Sequence, residues 1–458
     1  MLVKARLTKY IKRSIIIIII DSWSIYLNTT ENLTFYKLGV APKILGVLDR
    51  LQFITPTPIQ AKSIPIGLEG KDMMGIAQTG TGKTLAFGIP MLQQLSGTNS
   101  RGLIIVPTRE LALQVEETIY KIGRTLNIKT AVLIGGASMG KQNSILRRNP
   151  NIIVGTPGRL NDHLEQKTLN LSQMSILVLD EADRMLDMGF SHQIEKIIKH
   201  IPAQRQTLLF SATMPVEIIK LANSYMKLPI RVEIEKPGTA ASKVKQEVFF
   251  VKKENKNNLL QSLLSEYKGS VLVFSRTKHG ASKISKALKN LNISSTDIHS
   301  NKSLSQRRAA LDGFKSGRYR VLVATDIAAR GIDVEGIQLV VNFDLPEKAE
   351  DYVHRIGRTG RAGQEGNAVS FATPDQISDV RKIEKLIRST LRISKHEQFS
   401  TLVEKKEYFH RVQSRAERPN FQSSHPRRRH KSSGRSFRSR RYENKNMYVD
   451  FRDKGRNW

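Results

Sequence analysis

The sequence predicts an α/β protein of two tandem domains, each a mostly parallel sheet flanked by helices, followed by a basic tail expected to be disordered. From about Phe35 to Glu233, short apolar runs alternate with amphipathic helical stretches, the rhythm of a parallel sheet wrapped by helices. The rhythm breaks at residues 235 to 244, where Pro237, Gly238 and a run of small residues read as a linker, and then resumes to about residue 395. A length of 458 residues has room for two domains of ordinary size plus an appendage.

Residues 1 to 32 pair a basic start (Lys4, Arg6, Lys9, Lys12, Arg13) with six isoleucines, Ile15 to Ile20. The apolar core is short for a signal peptide and no small-residue cleavage site follows. A disordered extension, a start codon placed upstream of the true one and a membrane anchor are the readings left open, and the β-branched run is an aggregation risk if exposed. The first domain spans residues 33 to 234, with strands expected at Met73 to Ile76, Leu103 to Val106, Ala131 to Ile134, Ile152 to Val154, Ile176 to Leu179 and Thr207 to Phe210. The second spans residues 245 to 395, with strands expected near Val248 to Val251, Val271 to Phe274, Val321 to Ala324, Leu339 to Asn342 and Ala368 to Phe371.

The tail, residues 396 to 458, holds the acid-free stretch RRRHKSSGRSFRSRR from Arg427 to Arg441, with Phe437, Tyr442 and Tyr448 as stacking groups. From residue 401 onward, 17 basic residues against 6 acidic leave +11 of the chain's formal +33, so the body is basic too. Such a charge attracts polyanions; nucleic acid and an anionic membrane both satisfy it. The 39% hydrophobic content suits a soluble protein, and no apolar run nears the roughly twenty residues of a spanning helix, so no stable membrane association is expected. The absence of cysteine rules out disulfides, thiolate metal sites and a cysteine nucleophile, and fits a cytoplasmic location.

The chemistry begins at AQTGTGKT, Ala77 to Thr84, which follows a predicted strand and opens a predicted helix, as a phosphate-binding loop must. Gly80 and Gly82 admit close backbone approach, with Thr79 and Thr81 between and beside them. Lys83 reaches the β and γ phosphates, and the Thr84 hydroxyl can ligate magnesium. The usual pattern opens on glycine; this one opens on Ala77. Asp180-Glu181-Ala182-Asp183 follows the apolar strand ILVL, at the end where ligands of open α/β sheets bind. There Asp180 can hold Mg2+ while Glu181 orients and deprotonates the attacking water. Either motif alone has a bland explanation, a glycine-rich turn or a solvated acidic turn; together they point to ATP hydrolysis.

These residues resemble motifs I and II of the DEAD-box RNA helicases, and the resemblance runs over about residues 35 to 375. It implies two RecA-like domains closing over ATP and RNA. FITPTPIQ, ending at Gln60, resembles the adenine-reading Q motif, with Phe35 upstream as the ring that stacks on the base; Gln52 stands where the family usually has glycine. PTRELA (Pro107, Thr108, Arg109 and onward), Gly135-Gly136 and TPGR (Thr156, Pro157, Arg159) resemble RNA-backbone elements, and Arg276 in VFSRT and Thr325 in ATDIAARGID their counterparts in the second domain. Asp333 resembles the ribose contact. Arg358 and Arg361 of HRIGRTGR resemble arginine fingers, and Ser211 and Thr213 of SAT, with Asp183 and His354, resemble the element coupling hydrolysis to unwinding. The runs DRMLDMGF, FSRTKHGA and HSNKSLSQRRAAL are similar to the bacterial RhlE-type branch.

The expected activity is RNA-dependent ATP hydrolysis with ATP and Mg2+, local unwinding of short duplexes or remodelling of RNA-protein complexes, and sequence-independent RNA contact by a monomer. Ribosome-assembly and RNA-decay proteins are both natural partners for the family. A DNA helicase of the same architecture and a non-catalytic RNA clamp are the rival readings; Glu181, Arg358 and Arg361 argue against the clamp, which needs no water-activating carboxylate.

Overall fold

Strands rich in Ile, Val and Leu recur in both halves, and parallel pairing buries them on two faces. The structure is a computed structural model, which describes residues 34–78, 80–234, 244–329, 334, 336–360 and 366–399. The isoleucine run, the linker residues 235–243 and the basic stretch of the tail lie outside the described residues. In the first half the strands are β1 (Met73–Ile76), β2 (Arg101–Ile105), β3 (Thr130–Leu133), β4 (Ile152–Gly155), β5 (Met174–Leu179), β6 (Gln206–Ser211) and β7 (Ile230–Glu233). In the second they are β8 (Val244–Phe250), β9 (Val271–Phe274), β10 (Ser295–Ile298), β11 (Val321–Ala324), β12 (Leu339–Asn342), β13 (Gly366–Ala372) and β14 (Arg392–Ser394).

Among the described residues each half forms one seven-stranded sheet, ordered β3-β4-β2-β5-β6-β1-β7 and β10-β11-β9-β12-β13-β8-β14. Every neighbouring pair runs parallel. Successive side chains alternate faces, so one core of the first sheet takes Ile104, Val106, Val154, Val178, Leu208 and Phe210. The opposite core takes Leu103, Ile105, Ile153, Leu177 and Leu209. Phe87 and Phe210 meet in a tilted pair with centroids 5.4 Å apart.

All eleven strands expected from the sequence are present, with ends shifted by a few residues. Three more, β7, β10 and β14, were not expected, and each is an edge strand of its sheet. An edge strand has a neighbour on one side only and carries polar residues, as in Ser295-Thr296-Asp297 of β10, so no continuous apolar run marks it. Two boundaries also move. β8 begins at Val244, the last residue expected in the linker. Residues 396–399, expected in the tail, pack on the second half: His396 stacks on Phe399 with centroids 4.8 Å apart, its Nε2 lies 2.8 Å from Ser262 Oγ, and Phe399 rests on the core.

Where the family has glycine, Gln52 adopts a left-handed φ of 60° just past the helix Pro42–Arg50. A side chain there pays a steric penalty of roughly 1 to 2 kcal/mol, partly offset because glycine has more freedom to lose on folding. Gln52→Gly is therefore expected to stabilise the protein by up to about 1 kcal/mol in urea denaturation; a loss of stability would show that the Gln52 side chain, whose Nε2 donates to Asp49 O at 3.2 Å, does more than tolerate the turn.

Candidate active site

Parallel strands end on a common side, so the sheet order decides which loops become neighbours. In the first half β1, β6 and β5 are adjacent, and their carboxyl ends lead into the Ala77 loop, the Ser211 segment and Asp180-Glu181. The next three, β2, β4 and β3, lead into Pro107-Thr108, Thr156-Pro157 and Gly135-Gly136. The Ala77 loop, the Ser211 segment and the acidic pair thus occupy one end of the edge, and the Pro107, Thr156 and Gly135 segments the other.

The phosphate loop turns through Gly80 (φ 83°) and Gly82 (φ 86°), and Gly82 is the N-cap of the helix Lys83–Leu95. A Cβ on Gly82 would collide with the Gln60 amide. Gln60 is 3% exposed and works at both ends: Oε1 accepts from Thr57 N at 2.9 Å, and Nε2 donates to Gly82 O at 3.0 Å. Thr57 Oγ1 donates to Thr81 O at 2.8 Å, and Thr81 Oγ1 to Gln78 O at 2.7 Å. The glutamine segment therefore clamps the loop. Lys83 is buried and donates to Ala77 O at 2.9 Å, while Thr84 stands half-buried beside it. Thr79 lies outside the described residues. Phe35 departs from expectation: its ring is 3% exposed and packed into the core, so it presents no open face for a base.

Asp180 and Glu181 are both 3% exposed. Burial pushes the Asp180 carboxyl up to about 6; Lys83 pulls it down, and Glu181 and Asp183 push it further up. Glu181 holds a left-handed backbone (φ 52°, ψ 48°), a costly conformation for a residue with a Cβ, and donates its N–H to Asp180 Oδ1 at 2.9 Å. Its Oε2 is buried without a hydrogen bond, 3.7 Å from Arg184 Nε, and Arg184 Nη2 is likewise unsatisfied. Asp183 is knitted to the Ser211 segment: Oδ2 accepts from Thr213 N at 2.9 Å and Thr213 Oγ1 at 2.8 Å, and Asp183 N donates to Ser211 Oγ at 3.2 Å.

On the other end of the edge, the Arg109 guanidinium lies over the Gly135-Gly136 backbone, where a Cβ on Gly136 would strike it. Gly136 has φ 77°. Thr108 and Thr156 are the N-caps of Arg109–Gly123 and Pro157–Glu165; Pro107 and Pro157 are buried, and Arg159 donates to Ala137 O at 3.0 Å. These residues gather at the carboxyl ends of the adjacent strands β2, β4 and β3.

In the second half, β11, β9 and β12 are adjacent and end at Thr325, Ser275-Arg276 and Asp344. Thr325 O accepts from Ala329 N at 2.8 Å, Arg276 N donates to Asp344 Oδ2 at 3.1 Å, and Arg276 Nη2 to Leu345 O at 3.3 Å. Burial pushes the Asp344 carboxyl up, but Lys256 and the Arg276 N–H outweigh it and hold it below the usual range. The Arg358 segment faces the phosphate loop: a Cβ on Gly357 would sit 3.9 Å from Gln78 Oε1. Arg358 is 4% exposed and lines a cavity with His354, Phe274 and Arg184, the last from the first half. His354 and Arg184 thus stand on the wall of one cavity. Arg361 and Asp333 lie outside the described residues.

Sequence reasoning gave no role to three groups. Arg355 is 2% exposed, bonds Asp326 twice (2.6 and 2.7 Å) and sits 4.9 Å from the Phe274 ring centroid. Arg307 Nε meets Glu110 Oε1 of the first half at 2.8 Å, an ion pair without hydrogen-bond alignment. Burial pushes the Glu110 carboxyl up and the Arg307 guanidinium down, and each partly restores the other. Their positions inside PTRELA and QRR were the available signal.

The geometry fits Mg2+. Among the described residues no group of three His, Asp or Glu ligands could hold a metal alone. A magnesium ion keeps waters and needs few protein carboxylates, and Asp180 faces Lys83 across a loop shaped for phosphates.

The DEAD/DEAH box helicase family matches residues 57–221, and the helicase conserved C-terminal domain matches residues 255–363. The chain is 44% identical over 355 residues to the DEAD-box ATP-dependent RNA helicase CshA of Geobacillus kaustophilus, covering 77% of this chain and 76% of that one. It is also 44% identical over 356 residues to the ATP-dependent RNA helicase DbpA of Bacillus subtilis, covering 77% and 74%. Among solved structures, S. cerevisiae Dbp5 bound to RNA and ADP BeF3 superposes with a TM-score of 0.71 at 30% identity, covering 79% of this chain and 95% of that one.

Burial keeps a proton on Asp180 up to about pH 6 when folded, against an ordinary value of 3.8. The folded state binds the extra proton within that window, so stability is full below it and falls as pH rises through it. Denaturant melts of the ligand-free protein should show that slope, and Asp180→Asn should flatten it and raise stability at pH 7.5; an identical pH profile in the variant would remove Asp180 as its source.

Proposed function

The chain belongs to the DEAD-box family of ATP-dependent RNA helicases, and on that premise we propose how its own residues divide the work. It has two tandem RecA-like domains and is an RNA-dependent ATPase that uses ATP to unwind or remodel RNA. The observation that carries the assignment of roles is the strand order, which sets the phosphate loop, the Ser211 segment and Asp180-Glu181 side by side, with Gly357 of the second domain against Gln78.

Gly80, Thr81, Gly82 and Lys83, with Thr79, cradle the ATP phosphates, and Lys83 leaves the Ala77 carbonyl to do so. Gln60, already holding the loop, reads the adenine, while Phe35 stays packed in the core and does not stack on it. Thr84 and Asp180 hold Mg2+, which when bound neutralises phosphate charge. Glu181 orients the attacking water and takes its proton; its unsatisfied buried Oε2 supports this. Arg358 and Arg361 stabilise charge on the transferring phosphoryl group, and Asp333 holds the ribose. RNA lies along Pro107, Thr108, Arg109, Gly135, Gly136, Thr156, Pro157 and Arg159, and along Arg276 and Thr325, by backbone contact without base readout. The Asp183, Ser211 and Thr213 network passes the state of the acidic motif to the domain interface, with His354 on its far side.

The solved relative bound to RNA and a nucleotide analogue supports both ligands. The RhlE-type placement rests on DRMLDMGF, FSRTKHGA and HSNKSLSQRRAAL, while the matched bacterial relatives are CshA and DbpA. Monomeric, cytoplasmic action beside ribosome-assembly or RNA-decay proteins is part of the same reading. Among the described residues no helix is long and apolar enough to cross a membrane.

Because ATP and RNA each bridge the domains, each should tighten the other by about 1 to 3 kcal/mol, and adding RNA should raise ATPase activity; parallel assays with DNA should give a weaker response. An unresponsive rate would sink the coupling. Glu181→Gln should keep nucleotide binding, read by a fluorescent ATP analogue, and lose turnover. Arg358→Ala should lower turnover by about three to five orders of magnitude, and a loss below tenfold would take Arg358 out of the transition state.

A further inference from the structure

Between Tyr267 and Leu311 the sequence carries nine Lys and Arg and one acid, Asp297. That acid is 8% exposed and internally satisfied: Oδ1 lies 3.1 Å from Lys302 Nζ, and Oδ2 accepts from Ser282 Oγ at 2.8 Å and lies 2.9 Å from His299 Nε2. The exposed surface of this segment is therefore purely basic. Its centre is the helix Lys278–Asn290, which buries Ala281, Ile284, Ser285 and Leu288. At about 100° per residue, Lys283 and Lys286 point away from that buried face, and Lys278 and Lys289 lie on the flank that joins the two. All four are exposed.

Other surface helices mix their signs, as in Lys121 with Glu117 (2.7 Å), Lys196 with Glu165 (2.7 Å) and Lys382 with Asp379 (2.9 Å). Lys283, Lys286 and Lys289 have no ion-pair partner among the described residues, and Lys278 donates only to the neutral Asn301 at 3.1 Å. Like charges spaced along one helix face repel, so the arrangement costs stability until a polyanion lies on it. The helix starts beside Arg276, capped by Thr277, whose Oγ1 accepts from Gly280 N at 3.0 Å. From Lys278 to Lys289 the stripe runs roughly 16 Å, enough to face several successive phosphates.

We propose that the lysine face of the helix Lys278–Asn290 is a second RNA-binding surface, which holds the phosphate backbone of RNA extending beyond the stretch seated at Arg276 and the first-domain elements. It rests on the helicase reading, since RNA is the polyanion that reaches this face. It adds affinity and salt dependence without sequence preference and leaves the chemical step alone.

The test uses the full chain and a Lys283→Gln, Lys286→Gln, Lys289→Gln triple variant, substitutions that glutamine's helix propensity accommodates. Binding is read by fluorescence anisotropy on single strands of about 10 and about 30 nucleotides over a salt series. For the longer strand the log-log salt slope should fall by about 2, as loss of three phosphate contacts requires, while short-strand affinity and RNA-saturated turnover stay unchanged. The matching Lys→Arg triple should restore the slope. An unchanged long-strand slope overturns the proposal, and an equal loss on the short strand overturns it by placing the lysines in the core site. If the unsubstituted protein shows no RNA-stimulated turnover, the helicase reading fails and takes the proposal with it.

Discussion

Parallel pairing is the constraint on which the rest of this molecule depends. It sends the carboxyl end of every strand to one edge, so function follows from the order of strands in space. With β5-β6-β1 adjacent, the acidic motif, the Ser211 segment and the phosphate loop touch although some 130 residues separate the first strand from the last of the three. With β3-β4-β2 adjacent, Arg109 comes to rest on Gly135-Gly136. The two groups of loops share one edge, and the boundary between them is the contact of β2 with β5.

That edge concentrates buried charge. Glu181 Oε2 and Arg184 Nη2 are buried without hydrogen bonds, Asp180 is a desolvated carboxylate beside two others, and Lys83 is turned onto its own loop's carbonyl. Buried polar groups in folded proteins are ordinarily paired, and strain of this kind concentrates at functional sites. Lys83 and Asp180 are held meanwhile by partners of their own, the Ala77 carbonyl and the Glu181 N–H. Ligands that bind only the folded state then return stability as they dock.

Most of this was legible in the sequence, because the strands that carry the motifs are central and apolar and the motifs are short and local. What escaped needed three dimensions. The edge strands β7, β10 and β14 lack the apolar run that double-sided burial imposes. Phe35 looks like a free aromatic until the core closes around it, and Gln52 takes glycine's conformation without being glycine. Arg355 and Arg307 read as two more cations in basic segments; only packing shows that one is bound to Asp326 inside the second domain and the other to Glu110 across the interface. His396 and Phe399 are isolated packing residues at the head of a polar stretch, so no local pattern marks them as part of the second domain.

The contacts between the domains include two ion pairs of different burial. Glu110 and Arg307 are both buried, and their attraction competes with the cost of removing two charges from water. Lys348 and Asp187 meet at 2.9 Å, but the lysine is 58% exposed, where an ion pair contributes little. These two contacts are polar and stand beside an apolar one, in which Leu304 of the second domain packs against the first domain's core. Pairing Glu110 with Arg307 also fixes a register, since the pair forms in one relative placement of PTRELA and QRR and leaves two unpaired charges in any other partly buried one. The pair therefore specifies where the two domains meet.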